Sequence, residues 1–524
     1  MKQSILKKIR LIIALLIFLI TLFIFIDFRG IFPPHFLMSI ASIQFVPSLI
    51  EAIKTGAIFG GAFIVILVLT ALFGRVYCSA ICPLGILQDI IARIKKRFKK
   101  KKFRYKSSRP YNILRYSILS ITIISLIAGG MFLTNMLDPY SNFGRISSDL
   151  LRPIYISFNN LLAGIFEKMN IYTFYKMDIY VNWLAIIYPL LILGLLIVLV
   201  LKHGRLFCNT ICPVGSLLGL LSKISLFKIK FDTHNCTSCN KCSLVCKSEC
   251  INVKEQKVDF SRCVACYNCV DTCPESAIKY QLNIRRKISD VNSPNDENNG
   301  RRDFINKTVT STLVLLGISK FIKATTPISN TGVKLVPNDK KYAICPPGSI
   351  SIDRFNDICT ACHLCVSACP SNVIHPSVLE YGLKGFLQPR LDYEISYCNY
   401  ECTACSEVCP TGAIQPITKE EKVILQIGKV NFIKQNCVVY TEETSCGACA
   451  EHCPTQAVFM VPYKEGLTIP NTNTNICVGC GACEHICPVR PHRAIFVDGN
   501  PIHLKAKKPE IEEVDYEELE EFPF

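Results

Sequence analysis

The chain reads as a multi-domain protein: an all-α domain of four transmembrane helices, followed by small α+β modules built around cysteines. Three observations lead there. Four long apolar runs all lie before residue 202, and the remainder is ordinary in hydropathy. Cysteine occurs 30 times in 524 residues, far beyond the usage of an ordinary cytosolic enzyme. Most of those cysteines recur in short runs at fixed spacing. Disulfides would require an oxidising compartment, so the spacing has to decide what the thiols do.

The first apolar run, Ile9–Ile26, has about the twenty residues that a bilayer core demands. Lys7, Lys8 and Arg10 flank its start and no small-residue cleavage site follows, which reads as an uncleaved anchor. The other runs are Thr55–Phe73, Tyr111–Leu133 and Trp183–Leu201. Between the second and third, Lys95–Arg109 holds ten cations and no acid. Between the third and fourth, Arg145, Arg152, Lys168 and Lys176 are balanced by Asp138, Asp149, Glu167 and Asp178. The positive-inside rule then puts the N-terminus, the 75–110 loop and the residues after 202 in the cytoplasm. The formal net charge of +17 gathers beside these runs, so it marks a membrane flank and no nucleic-acid partner is expected.

Two spans end in the same phrase, GRVYCSAICPLG at 74–85 and GRLFCNTICPVG at 204–215. Each is followed by an apolar stretch and then by basic residues, so the pattern is a two-fold repeat of span, cysteine pair and surface helix. Cys78, Cys82, Cys208 and Cys212 can meet where the halves face each other. Three readings stand: ligands of a metal or small iron–sulfur centre, redox-active thiols, or structural turns set by Gly-Arg and Pro-x-Gly.

The next motif is more specific. Cys236, Cys239, Cys242 and Cys246 are followed by Cys263, Cys266, Cys269 and Cys273-Pro274, the spacing of a bacterial dicluster ferredoxin. Three thiolates two residues apart wrap one corner of a [4Fe–4S] cube, and the fourth thiolate comes from the other run. Cys236, Cys239, Cys242 and Cys273 then hold one cube, and Cys263, Cys266, Cys269 and Cys246 the other. Zinc sites separate their paired knuckles by longer loops. Four further runs follow: Cys359, Cys362, Cys365, Cys369; Cys398, Cys402, Cys405, Cys409; Cys437, Cys446, Cys449, Cys453; and Cys477, Cys480, Cys483, Cys487. The middle two are widened between their first cysteines. Neighbouring runs exchange fourth ligands, or the outer pair encloses the inner. Six runs use 24 cysteines and the membrane pairs four, leaving Cys250 and Cys345. Cys250 reads as buried filler and Cys345 as a non-ligand. His35 and His203 fall at membrane surfaces, where satisfied surface histidines are the commoner reading than contacts to a quinol headgroup. No Ser/His/Asp arrangement or phosphate-cradling loop accompanies the cysteines.

The domains expected are a membrane domain over 1–230, a cytoplasmic two-cluster ferredoxin over 231–282, a linker over 283–340, a four-cluster polyferredoxin over 341–508 and an acidic tail over 509–524. Within the linker, Arg301-Arg302-Asp303-Phe304 precedes a short apolar stretch, Thr308–Ser319, the pattern of a twin-arginine export signal. Export by that route carries folded, cofactor-loaded domains and would place the polyferredoxin in the periplasm. The tail, rich in acids, is expected to be disordered.

These motifs resemble a known pair. The first 280 residues, with four spans, two CxxxCP motifs and a two-cluster ferredoxin, resemble the NapH-type membrane ferredoxins. Residues from about 301, with the twin arginine, the Pro346–Gly348 lead-in and four cluster runs, resemble the NapG-type exported polyferredoxins. The resemblance implies a fusion of the two. It further implies a quinol dehydrogenase relay of the inner membrane, working in anaerobic respiration. Electrons from the quinol pool, taken at or near the CxxxCP face, would pass through six [4Fe–4S] clusters to a periplasmic reductase of nitrate or nitrous oxide type, or to a cytochrome. Whether such a component counts as an enzyme in its own right is open. The alternative is a maturation factor that supplies electrons to load or repair a partner metalloenzyme.

Overall fold

The computed structural model describes residues 2–27, 29–55, 61–98, 105, 110–180, 182–282 and 335–508. The twin-arginine segment, nearly all the linker, the acidic tail and most of the ten-cation stretch lie outside them. Residues 1–283 with 336–524 form one compact unit and residues 284–335 a second. The second lies outside the described residues except for Leu335.

The N-terminal part is helical: α1 (Lys2–Ile26), α2 (Pro34–Ser42), α3 (Phe45–Thr55), α4 (Gly61–Phe73), α5 (Val76–Ala80), α6 (Pro83–Phe98), α7 (Asn112–Ile127), α8 (Phe132–Leu137), α9 (Pro139–Arg145), a π-helical turn at Ile146–Leu151, α10 (Arg152–Glu167), α11 (Trp183–His203), α12 (Leu206–Thr210) and α13 (Pro213–Ser222). Two of these, α1 over Ile5–Ile26 and α11, are long and apolar enough to cross a membrane. Their apolar side chains remain largely exposed, as lipid-facing residues would be.

The second and third expected spans are shorter among the described residues, 13 residues in α4 and 16 in α7. α7 stops where Gly129 takes φ +78, a left-handed residue that ends helices. α4 is preceded by α3, which folds back on it: the Phe63 N–H donates to Ser48 Oγ at 2.7 Å. Two segments that no long apolar run announces also pack inside. α2 and α3 form a pair bent by 91°, and α8, α9 and the π-helical turn make a buried polar stretch.

In the 227–282 module, β1 (Phe227–Phe231) pairs antiparallel with β4 (Ile278–Leu282), enclosing β2 (Ile251–Asn252), β3 (Lys257–Val258), α14 (Lys241–Val245) and α15 (Asn268–Thr272). The C-terminal module repeats that plan. Leu425–Phe432 pairs with Ile495–Lys505 around the last two cysteine runs, and Val458–Pro462 pairs with Thr468–Thr472 between them. The two modules sit at opposite ends of α1. Near its start, Lys7 Nζ pairs with Asp271 of α15 at 2.5 Å. At its end, Ser367 Oγ of the C-terminal module donates to the Phe25 carbonyl at 3.0 Å. From Lys7 to Phe25 the helix rises about 27 Å.

Candidate redox centres

The two repeats bring their cysteines together. Cys78, Cys82, Cys208 and Cys212 are all buried. Cys82 lies within electrostatic range of Cys208 and Cys78, and Cys212 within range of Cys208, Cys82 and Cys78. Each repeat's arginine reaches across to the other's cysteine turn. Arg75 Nη2 donates to the Cys208 carbonyl at 3.1 Å, and Arg205 Nη1 donates to the Cys78 carbonyl. The exchange needs glycine where the halves touch. A Cβ on Gly85 would meet Cys78 O at 2.4 Å and the crossing Arg205 Nη1 at 3.1 Å, and one on Gly215 would meet Cys208 O at 2.1 Å and the crossing Arg75 Nη2 at 2.9 Å. Donors also face the sulfurs: Gln88 Nε2 lies 3.3 Å from Cys208 Sγ, and the Gly215 N–H donates to Cys212 Sγ at 3.3 Å. Arg75 Nη2 lies 3.8 Å from Cys78 Sγ. These donors favour the thiolate, the form that binds metal, against burial, which pushes the Cys82, Cys208 and Cys212 thiols up.

The ferredoxin-type runs gather in fours. Cys236, Cys239, Cys242 and Cys273 line one cavity, and Cys246, Cys263, Cys266 and Cys269, together with Cys250, line another. In the C-terminal module neighbouring runs exchange their last member. Cys359, Cys362 and Cys365 have Cys409 beside them. Cys398, Cys402 and Cys405 have Cys369. Cys437, Cys446 and Cys449 have Cys487, and Cys477, Cys480 and Cys483 have Cys453. The alternative, in which the outer runs enclose the inner, is not the arrangement found.

Local backbone explains how the loops close. In the four runs of standard spacing, the second residue after the first cysteine and the residue after the second cysteine are left-handed: Ser238 and Asn240, Ala265 and Tyr267, Ala361 and His363, Gly479 and Gly481. Such turns aim successive N–H groups inward, where they favour anionic sulfur; the Ala361 N–H donates to Cys359 Sγ at 3.4 Å. In the widened runs the corresponding residues, Thr403 and Gly447, have φ −115 and −125. Between Cys398 and Cys405 the added residue rounds the loop without a left-handed step, while between Cys437 and Cys446 that step falls at Glu443, φ 51. Among the described residues, no three of His, Cys, Asp or Glu converge as a single metal ion would need.

The leftover cysteines differ in kind. Cys345 is buried, and burial pushes its thiol up to about 12. Cys250 is also buried, but its Sγ lies 3.6 Å from Cys246 Sγ, so it touches a grouped thiol instead of merely filling space. His203 Nδ1 sits 3.6 Å from Glu249, a paired surface histidine.

Backbone contacts link the membrane quartet to both modules. Toward the 227–282 module, Arg75 Nη1 donates to Ser261 O at 3.1 Å and the Arg205 N–H to Lys247 O at 2.9 Å. Asp89 of α6 fastens the same junction, pairing with Arg205 at 2.9 Å, Lys247 at 3.1 Å and Arg10 at 3.5 Å. Burial alone would raise the Asp89 pKa, but Arg205, Lys247 and Arg10 together hold the carboxyl well below the usual carboxylate range. Toward the C-terminal module, α6 packs on α9, whose N-cap Asp138 accepts the Ser141 N–H at 2.8 Å. Gly144 of α9 abuts the Cys362 backbone, where a Cβ would lie 2.3 Å from the carbonyl oxygen. The cross-repeat arginines and Asp89 were not picked out from the sequence as site residues. The available signal was recurrence: Arg75/Arg205 and Gly85/Gly215 hold equal places in both copies.

Comparison with known proteins finds iron–sulfur families along the chain. A family model described as a 4Fe-4S binding domain matches residues 56–101 and 184–232, one CxxxCP copy in each. A 4Fe-4S dicluster domain matches 358–413 and 444–490, and a second 4Fe-4S binding domain matches 257–279. Among curated proteins, the ferredoxin-type protein NapF of Escherichia coli K12 is 31% identical over 145 residues, 28% of this chain and 79% of NapF. The ferredoxin-type protein NapG of the same organism is 26% identical over 199 residues, 36% of this chain and 81% of NapG. The methylamine utilization ferredoxin-type protein MauM of Methylorubrum extorquens is 31% identical over 152 residues, 28% and 68% of the respective chains. No solved structure matches.

Proposed function

Because the chain belongs to the ferredoxin-type iron–sulfur proteins of the NapF, NapG and MauM kind, we propose that this electron-transfer protein is a membrane-embedded relay. It takes electrons from the quinol pool and hands them to a reductase or cytochrome beyond the C-terminal module. Six groups of four thiols hold [4Fe–4S] clusters, and Cys78, Cys82, Cys208 and Cys212 hold a further iron–sulfur centre between the modules. When bound, such clusters supply one-electron transfer at potentials set by charge, hydrogen bonds and solvent exposure.

One observation carries the reading. Residues beside the quartet reach toward both modules: Arg75 Nη1 donates to Ser261 O, and α6 packs on α9, whose Gly144 abuts the Cys362 carbonyl. Along that path we read the grouped thiols as a row. The chain's own residues keep that row dry and spaced: Arg75 and Arg205 neutralise the quartet's surroundings, and α9 fills the interval to Cys362. A row continuous between the two ends of α1 suits steady transfer better than a maturation role, which needs no connection across the membrane. The fusion of two normally separate components, and export of the C-terminal module by the twin-arginine route, belong to the same proposal.

The test is reduction of the protein in anaerobic vesicles by a short-chain quinol, followed by electron paramagnetic resonance. The relay predicts signals from clusters of both modules within the mixing time of a stopped-flow experiment. Clusters that dithionite reduces and quinol does not would overturn it in favour of maturation.

A further inference from the structure

The two exchanging pairs of cysteine runs in the C-terminal module are joined directly. The Cys398 N–H donates to the Cys480 carbonyl at 2.9 Å. The loop of the group Cys398/Cys402/Cys405/Cys369 therefore lies against that of the group Cys477/Cys480/Cys483/Cys453. These are the module's inner groups, and each exchanges a thiol with an outer one, that of Cys359 or that of Cys437.

A cation stands at that joint. Residues 418–421 read Thr-Lys-Glu-Glu and start one turn of helix, Lys419–Lys422, with a capping box. Thr418 Oγ1 accepts the Glu421 N–H at 3.2 Å, and Glu421 Oε2 accepts the Thr418 N–H at 2.9 Å. Lys419, Glu420 and Glu421 are exposed, but the turn carries Lys422 inward, where it is 2% exposed. Its Nζ donates to the Tyr400 carbonyl at 3.2 Å and to the Asn399 carbonyl at 3.5 Å, in the two residues that follow Cys398. The Tyr400 hydroxyl donates to the Val423 carbonyl at 3.0 Å and holds this stretch against the end of the helix. Lys422 is within electrostatic range of Cys398 and Cys405 of one inner group and of Cys480 of the other.

Both hydrogen-bond partners of the ammonium are neutral, and among the described residues no carboxylate pairs with it. The comparable lysines do have one: Lys247 pairs with Asp89 and Lys340 with Glu484. Lysine is almost never fully buried without a partner, because an uncompensated interior charge is costly. The negative charge that this joint offers is that of its grouped thiolates. Four thiolates around a [4Fe–4S] core keep a net negative charge in either oxidation state, a greater one when reduced, and the potential responds to charge nearby.

Resting on the reading that these groups hold clusters, we propose that Lys422 is the shared counter-charge of the two inner clusters and holds both at a higher potential than they would have without it. Transfer across the joint moves one electron: one cluster is oxidised by one unit, the other is reduced by one, and no bond or proton changes hands. Because Lys422 faces both groups, the summed charge it offsets is the same before and after. The ammonium need not move for the electron to pass.

The test is potentiometric titration of the full chain in anaerobic nanodiscs, followed by electron paramagnetic resonance. Inner signals are those lost in Cys398→Ala and Cys480→Ala, and outer signals those lost in Cys359→Ala and Cys437→Ala. Lys422→Met removes both charge and donor, Lys422→Gln removes the charge but keeps a donor for the two carbonyls, and Lys422→Arg keeps the charge. With iron retained, the Met and Gln variants should lower the reduced-to-oxidised ratio of both inner clusters at fixed potential by about tenfold, which is about 59 mV for a one-electron couple. The outer clusters should shift less, and Lys422→Arg should stay near wild type. Inner midpoints like wild type in iron-replete Lys422→Gln would overturn the proposal and leave the relay standing, and a shift confined to one inner cluster would overturn the sharing. If the Met and Gln variants shed iron from the inner groups, retention in Lys422→Arg shows that the cation is required, while loss there too would overturn the role of charge. Wild type without [4Fe–4S] signals would overturn the cluster reading and this inference together.

Discussion

Asp89→Asn is the most exacting perturbation of the membrane junction, because it changes charge and leaves shape alone. Asp89 is the carboxylate shared by Arg205, Lys247 and Arg10, whose side chains are 1%, 11% and 6% exposed. Those cations come from the second repeat, the 227–282 module and α1, so one side chain ties three parts of the molecule. Removing one partner of a buried ion pair leaves uncompensated charge and costs about 3–5 kcal/mol. At about 2–4 °C per kcal/mol for a sizeable domain, the lower figure lowers the unfolding midpoint by roughly 6–12 °C. The assay is anaerobic thermal unfolding in nanodiscs, followed by loss of visible absorbance and by Trp183 fluorescence. The sign with pH is fixed by the lowered pKa of the folded carboxyl. Its contribution is present above the unfolded value of about 4 and is lost as pH falls below that toward the folded value. The gap between wild type and variant should thus be flat from neutrality to about pH 5 and shrink only in stronger acid. A midpoint within about 2 °C of wild type would refute the reasoning, since three buried cations would then need no counter-charge.

Other outcomes follow from the same geometry. Gly215→Ala puts a methyl group against the Cys208 carbonyl and the Arg75 guanidinium that crosses from the first repeat and should displace that arginine, removing the quartet's iron and leaving the C-terminal module's intact by iron analysis. Cys409→Ala should abolish the same magnetic resonance signal as Cys359→Ala, and Cys369→Ala the same signal as Cys398→Ala; signals that pair within each run would reject the exchange. Cys250→Ala should keep the full iron count while shifting the signal of the Cys246 group, and a loss of about four irons would make Cys250 a ligand after all.

Much of the site was legible because thiolate ligation writes itself into local spacing. The spacing of the runs at 236–246 and 263–273 leads to an expected exchange of fourth members, and in the structure Cys236 and Cys273 line one cavity. The C-terminal pairing was not legible, since two arrangements satisfy the same spacing and only tertiary contacts such as Cys362 with Cys409 choose between them. The first and last spans were plain from continuous apolar runs. Residues 132–151 were not, because a buried polar segment such as Asp138–Arg145 carries the composition of a loop. Its burial depends on partners distant in sequence, the Cys362 loop among them. Asp89 and Arg205 were hidden for the same reason: a surface-like charge becomes a core charge only when its partners are seen.

Iron and acid-labile sulfide, counted per chain in protein purified without oxygen, test the central claim most directly. Six groups of four thiols with a further centre in the quartet predict about 24–28 irons, an equal amount of sulfide and a brown chromophore. Fewer than about sixteen irons per chain would contradict the account.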